Sequence, residues 1–121
     1  MQLNSYKDLK VWQKGLDLVI GVYALTEKFP QSEIYGLTSQ MRRASVAIPS
    51  NIAEGQKRGH YKEFLQFLFI AYGSGAELKT QIEICKKLPK IKNLDYNNLE
   101  LVLAEVMKML NGLITILKKR L

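Results

Sequence analysis

Residues that could perform chemistry are sparse in this chain of 121 residues, and their spacing excludes the common catalytic and metal sites. His60 is the only histidine and Cys85 the only cysteine, so a histidine–cysteine metal cluster cannot form within one chain. A carboxylate-bridged metal pair in a helical bundle needs a Glu-x-x-His motif, which is absent. No nucleophile can be paired with a base. We therefore expect no catalytic residue, no metal, no cofactor and no enzymatic activity.

Positive charge is the remaining chemical feature. The chain has 18 Lys and Arg residues against 11 Asp and Glu residues, a net charge of +7. This excess favours an anionic partner, and nucleic acid is the first candidate. Six cations form two groups that could neutralise phosphates without reading bases. These candidate contacts are Lys57, Arg58, Lys62, Lys118, Lys119 and Arg120.

Hydrophobic periodicity indicates the elements that must position these cations. Apolar residues at spacings of three and four predict four helices, at about residues 6–29, 36–55, 61–88 and 95–120. Asn4 or Ser5 would cap the first helix and Asp95 the fourth, while Pro30 and Pro89 follow the first and third. Nothing predicts a strand. Short connections favour an all-α, up-down-up-down antiparallel four-helix bundle, with residues 1–121 as a single domain.

Each predicted helix has an apolar stripe that should face the core. In helix 1 the stripe is Leu9, Trp12, Leu16, Val19 and Tyr23. In helix 2 it is Leu37, Met41, Ala44, Ile48 and Ile52. In helix 3 it is Phe64, Leu68, Ala71, Gly75, Leu78, Ile82 and Cys85, and the glycines 73 and 75 predict close approach of a neighbouring helix. In helix 4 it is Leu99, Leu103, Val106, Leu110, Leu113 and Leu117.

Helix 4 has more apolar surface than one bundle core requires. A second stripe of Val102, Met109 and Ile116 lies beside the first. A core-facing helix needs an apolar face of about three positions in seven, and helix 4 exceeds this along its length. We therefore expect a homo-oligomer with this second stripe at the contact between subunits.

Helix 2 contains a residue that the interior of a helix rarely tolerates. Pro49 lies inside it, which predicts a kink because proline cannot donate its backbone hydrogen bond. Gly55 would end the helix in the left-handed conformation.

Arg42 and Arg43 are adjacent, so they point about 100° apart and cannot face the same partner. We expect at least one of them to form a structural ion pair, with Glu54 or Glu77 as its partner.

Helix 2 also carries a resemblance to a known family. Its signature is Gln40, Arg42, Arg43, Pro49, Asn51, Glu54 and Gly55, within the segment from Leu37 to Gly55. With Lys10–Lys14 and Phe29–Pro30 upstream and Glu63–Gln81 downstream, this pattern resembles the four-helix-bundle proteins encoded in intervening sequences of bacterial 23S rRNA genes. The chain is also similar to the accessory variability determinant protein of diversity-generating retroelements, a basic pentameric partner of a reverse transcriptase. The resemblance implies a pentamer and a link to RNA.

These features predict a non-catalytic, oligomeric basic scaffold that binds nucleic acid, with structured RNA preferred over DNA. The alternative is a protein–protein interaction adaptor, for example a partner of a reverse transcriptase or another acidic protein, without direct nucleic-acid binding. No apolar run reaches the roughly 18 residues of a membrane span, and the first ten residues lack the apolar core of a secretion signal. We therefore expect a cytoplasmic location and no membrane partner.

Overall fold

The computed structural model describes residues 5–121, and it consists of four α-helices joined by short turns. We label the helices α1 to α4. They span Lys10–Thr26, Ser39–Lys57, Tyr61–Cys85 and Asn97–Lys118. No strand occurs in this part of the chain. The predicted all-α fold with four helices is confirmed, while Asn4 lies outside the described residues.

Local hydrogen bonds make the helices shorter than their apolar patterns. Ser5 Oγ accepts from the Lys7 N–H at 3.1 Å and caps a 3-10 turn, so α1 begins four residues later than predicted. Gly36 is non-helical and delays the start of α2. A tight Leu88 N–H to Cys85 carbonyl bond follows α3. The N-cap position of α4 is occupied by Tyr96 and not by the predicted Asp95, although the Asp95 carboxylate accepts from the first N–H of α4 at 2.9 Å.

The helices form a closed bundle in which each one packs against two others. α1 contacts α2 and α4, and α3 contacts the same two helices. Thr26, at the end of α1, is bonded to Arg42 near the start of α2, and Gly15 lies against Pro49 farther along. Contacts across the other three helix pairs follow the same antiparallel order. The ends of α2 and α4 therefore lie at the same end of the bundle as the start of α3.

The predicted core stripes are confirmed in α3 and α4, where every member is buried. In helix 2 only Leu37 is half-buried rather than buried. The stripe predicted for helix 1 is wrong except at Leu9, because Leu16 and Tyr23 are exposed and Trp12 and Val19 only half-buried. The residues of α1 that face the core are instead Val11, Gly15, Leu18, Val22 and Leu25.

The inward face of α1 meets the buried proline of α2. A Cβ at Gly15 would lie 3.4 Å from the Pro49 Cβ, which is an ordinary van der Waals contact. α2 is assigned as helix on both sides of Pro49, and the predicted kink remains a prediction. Asn51 donates to the Ala47 carbonyl at 2.7 Å within the same helix.

Gly55 does not have the role predicted for it. It lies inside α2 rather than at its end, and Gly59, with a φ of +79°, has the left-handed conformation instead. The reason is steric, because Gly55 is buried where α2 meets the start of α3. A Cβ there would lie 2.6 Å from the Phe67 Cβ and 3.0 Å from a ring carbon of Phe64.

Gly55→Ala should therefore lower the free energy of unfolding although alanine is the better helix former. Overpacking of this kind costs about 1–3 kcal/mol, and the gain in helix propensity returns up to about 1 kcal/mol. We expect a net loss of about 1–2 kcal/mol in chemical denaturation. Gly73→Ala is the matched control, because no atom lies within 4 Å of a Cβ at this exposed position of α3. It should raise stability, and equal effects of the two substitutions would contradict the packing argument.

Candidate nucleic-acid interface

The structure brings together the two groups of cations that the sequence singles out. Gly59 and His60, in the connection between α2 and α3, line the same cavity as Leu117 and Arg120 at the end of α4. The antiparallel course of the helices explains this neighbourhood, because α2 ends where α3 begins and α4 returns to that end. We call the six predicted contacts at this end the basic pole. They are Lys57, Arg58, Lys62, Lys118, Lys119 and Arg120.

All six cations of the basic pole are exposed to solvent. Arg58 pairs with Glu54 at 3.1 Å, one helical turn back, and its guanidinium lies 5.2 Å from the centre of the Phe67 ring. Lys118 Nζ lies 5.4 Å from the Phe69 ring. Within residues 5–121 the five cations other than Arg58 form no ion pair. The basic pole therefore presents charge that its own carboxylates do not neutralise.

The opposite end of the bundle is electrostatically different. Lys86 bridges Glu83 at 3.6 Å and Glu100 at 2.7 Å, which ties the end of α3 to the start of α4. The hydrogen bond that Lys86 Nζ donates to the Glu100 carboxylate raises the pKa of Lys86 above its ordinary value. The difference from the basic pole lies in the number of carboxylates, because five lysines at this end are matched by five acidic residues. They are Lys28, Lys86, Lys87, Lys90 and Lys92 with Glu27, Glu33, Glu83, Asp95 and Glu100.

Arg42 and Arg43 of the signature contact two different helices. Arg42 Nε donates to Thr26 Oγ1 at 2.9 Å, and its guanidinium lies 4.4 Å from the centre of the Tyr23 ring in α1. Arg43 pairs with Glu77 of α3 at 2.6 Å. The predicted structural ion pair is therefore the one with Glu77. Both arginines hold α2 in place, and neither belongs to the basic pole.

The other signature residues also make contacts inside the bundle. Gln40 accepts a hydrogen bond from Arg43 at 2.8 Å. Pro49 lies against Gly15 of α1, and Gly55 lies against Phe64 and Phe67 of α3. Asn51 bonds within α2, and Glu54 holds Arg58. These contacts indicate that the signature specifies how α2 packs between its two neighbours.

The predicted oligomer stripe is partly covered by its own chain. Val102 and Met109 are half-buried and pack against the core, while Ile116 is 51% exposed. Comparable apolar exposure occurs on α1, where Ile20 is 68% exposed beside Leu16, and Leu101 of α4 is 66% exposed. Exposed apolar side chains therefore occur on all four helices, Val46 on α2 and Ile70 on α3 among them, rather than on α4 alone.

A concave surface at the basic pole was not predicted from the sequence. Gln56, His60 and Tyr61 line it, and none of them was a candidate contact. Tyr61 could have been found, because it follows the basic connection directly and lies outside the apolar seam of α3. The concave surface could not have been found from the sequence, since it forms only where the end of α4 meets the connection between α2 and α3.

Other site types lack support in residues 5–121. No group of three or more His, Cys, Asp or Glu side chains there could hold a metal ion. The Cys85 thiol is buried, and burial raises its pKa. None of the helices described is both long enough and apolar enough to cross a membrane.

Comparison with known proteins gives one match. The family described as 23S rRNA-intervening sequence protein matches residues 7–112, which is most of the chain. The match ends before the last three cations of the basic pole, so Lys118, Lys119 and Arg120 are features of this chain outside the matched segment. No curated protein matches the chain.

Proposed function

This chain belongs to the 23S rRNA-intervening sequence protein family, and we propose that it is a non-catalytic scaffold that binds structured RNA through phosphate contacts. The observation that carries this proposal is the basic pole. Five of its six cations have no ion-pair partner among the described residues, so they are available to phosphates. Such contacts release counterions and are sensitive to salt, and they carry no base specificity.

We propose that the scaffold is a homo-oligomer and, from the resemblance of its signature, a pentamer. A ring needs two different patches on each subunit, because its contacts are heterologous. Two apolar patches support this arrangement. One is the outward face of α1 with Leu16 and Ile20, and the other is the α4 stripe of Val102, Met109 and Ile116.

Assembly would multiply the effect of weak phosphate contacts. When several copies of the basic pole face the same side, binding of the first brings the others to high effective concentration near the RNA. A monomer with the same cations would bind far more weakly. We also propose a cytoplasmic location, where the protein would meet ribosomal RNA.

The proposal is tested by titrating the purified protein with a structured RNA at several salt concentrations. A linear fall of log affinity with log salt is the expected result, together with a raised 260/280 nm absorbance ratio before nuclease treatment. Unchanged elution after RNA is added at low salt would contradict direct binding. That outcome would favour the rival function, an adaptor whose basic pole meets an acidic protein.

A further inference from the structure

A mostly apolar cavity of about 180 Å³ lies within the basic pole. Its floor includes Phe64, which is 7% exposed, and Leu117, which is 3% exposed. Tyr61, the first residue of α3, forms part of the wall and is 47% exposed. A cavity of this size can admit a planar ring but not a folded element of RNA. The position is unusual for an apolar hollow, because Arg120 of the basic pole lines it.

The rim of the cavity supplies polar groups from three segments. Gln56 comes from the last turn of α2, His60 from the connection, and Arg120 from the chain after α4. An amide can donate and accept hydrogen bonds at the edge of a base, and a guanidinium can bind a phosphate or stack on a ring. Gly59 leaves the entrance open, since no atom lies within 4 Å of a Cβ built there.

A cavity at the opposite end of the bundle lacks this combination. It is lined by Glu33, Leu88, Pro89, Lys90 and Ile91, with Ser32 beside them. It has no aromatic ring, and a carboxylate lies on its wall. A nucleotide would find neither a stacking surface nor an excess of positive charge there.

From these observations we propose that the cavity of the basic pole binds one unpaired base of the RNA, with Tyr61 as the stacking surface. This inference rests on the proposed function and adds a preference for single-stranded nucleotides. Surfaces that bind single strands combine a positively charged groove with exposed aromatic rings on which bases stack. The exposed ring of Tyr61, which precedes Lys62 in α3 and shares its cavity with Arg120, is such a combination. A base in a duplex would not reach the cavity, because it is already stacked and paired.

The test compares two labelled RNAs by fluorescence anisotropy at one salt concentration. One is a single-stranded oligouridylate, and the other is a fully paired duplex with the same number of phosphates. Tyr61→Leu should weaken binding of the single strand by roughly 5- to 150-fold, the effect of losing one base–aromatic stack. Affinity for the duplex and the salt dependence of both should stay unchanged. Tyr61→Phe should retain the parent affinity because it keeps the ring.

Tyr72→Leu is the matched control, because Tyr72 is a 38% exposed tyrosine of α3 that lines a different groove. It should leave both affinities unchanged. If Tyr61→Leu binds the single strand as tightly as the parent, or weakens duplex binding by the same factor, the base-binding cavity is overturned while phosphate binding stands. If the parent protein binds neither RNA, the proposed function itself is refuted, and the cavity proposal with it.

Discussion

Changing Lys118, Lys119 and Arg120 together to glutamine should lower the affinity for structured RNA on the order of 100-fold at 0.15 M salt, since each lost phosphate contact lowers the slope of log affinity against log salt by roughly 0.9. The slope itself should flatten by up to about three per bound subunit. All three side chains are exposed at the end of α4, so the bundle should stay folded. The measurement is a salt titration of RNA binding alongside circular dichroism.

The control for this variant is a triple change at the opposite end of the bundle. Lys87, Lys90 and Lys92 are exposed in the turn between α3 and α4, and glutamine there removes the same total charge. We expect this control to retain most of the affinity. Equal losses in the two variants would mean that net charge alone attracts the RNA. No loss in either would remove the basic pole as the binding site.

Ile20→Glu should dissociate the oligomer into single chains of 13.9 kDa, measured by light scattering. Ile20 is 68% exposed within its own chain, so a glutamate is tolerated by the monomer and costs energy only where another subunit would bury it. Helicity should therefore be unchanged. RNA affinity should fall by about 100-fold or more because avidity is lost.

Two further substitutions locate the contact more closely. Met109→Glu should also dissociate the ring, since Met109 belongs to the α4 stripe, but it should lower stability as well because this side chain packs partly on its own core. Ile70→Glu is the matched control, an isoleucine 52% exposed on α3. We expect it to leave the mass unchanged. An unchanged mass for Ile20→Glu and Met109→Glu would contradict both proposed patches.

Some of the packing could be predicted from the sequence with residue accuracy. Seven of the buried positions of α3 and six of those of α4 were predicted from spacing alone, because apolar residues recur at intervals of three and four along each helix. The identity of the basic residues was likewise visible in the sequence. The ion pair between Arg43 and Glu77 could be proposed only as one of several alternatives. Adjacent arginines must point to different partners, and the sequence does not state which arginine meets which carboxylate.

Other features required the tertiary structure. α1 carries two apolar stripes side by side, and periodicity states which residues share a face but not which face turns inward. The tertiary structure turns the stripe that contains Gly15 inward, and Gly15 lies against Pro49 of α2 there. Gly55 was misread for the same reason, since its purpose is close packing with Phe67 and Phe64 rather than a turn. The cavity beside Tyr61 likewise exists only where α4 meets the connection between α2 and α3. The sequence by itself thus determined the helices and their charge, whereas contacts between helices determined which faces are buried and which remain open to a partner.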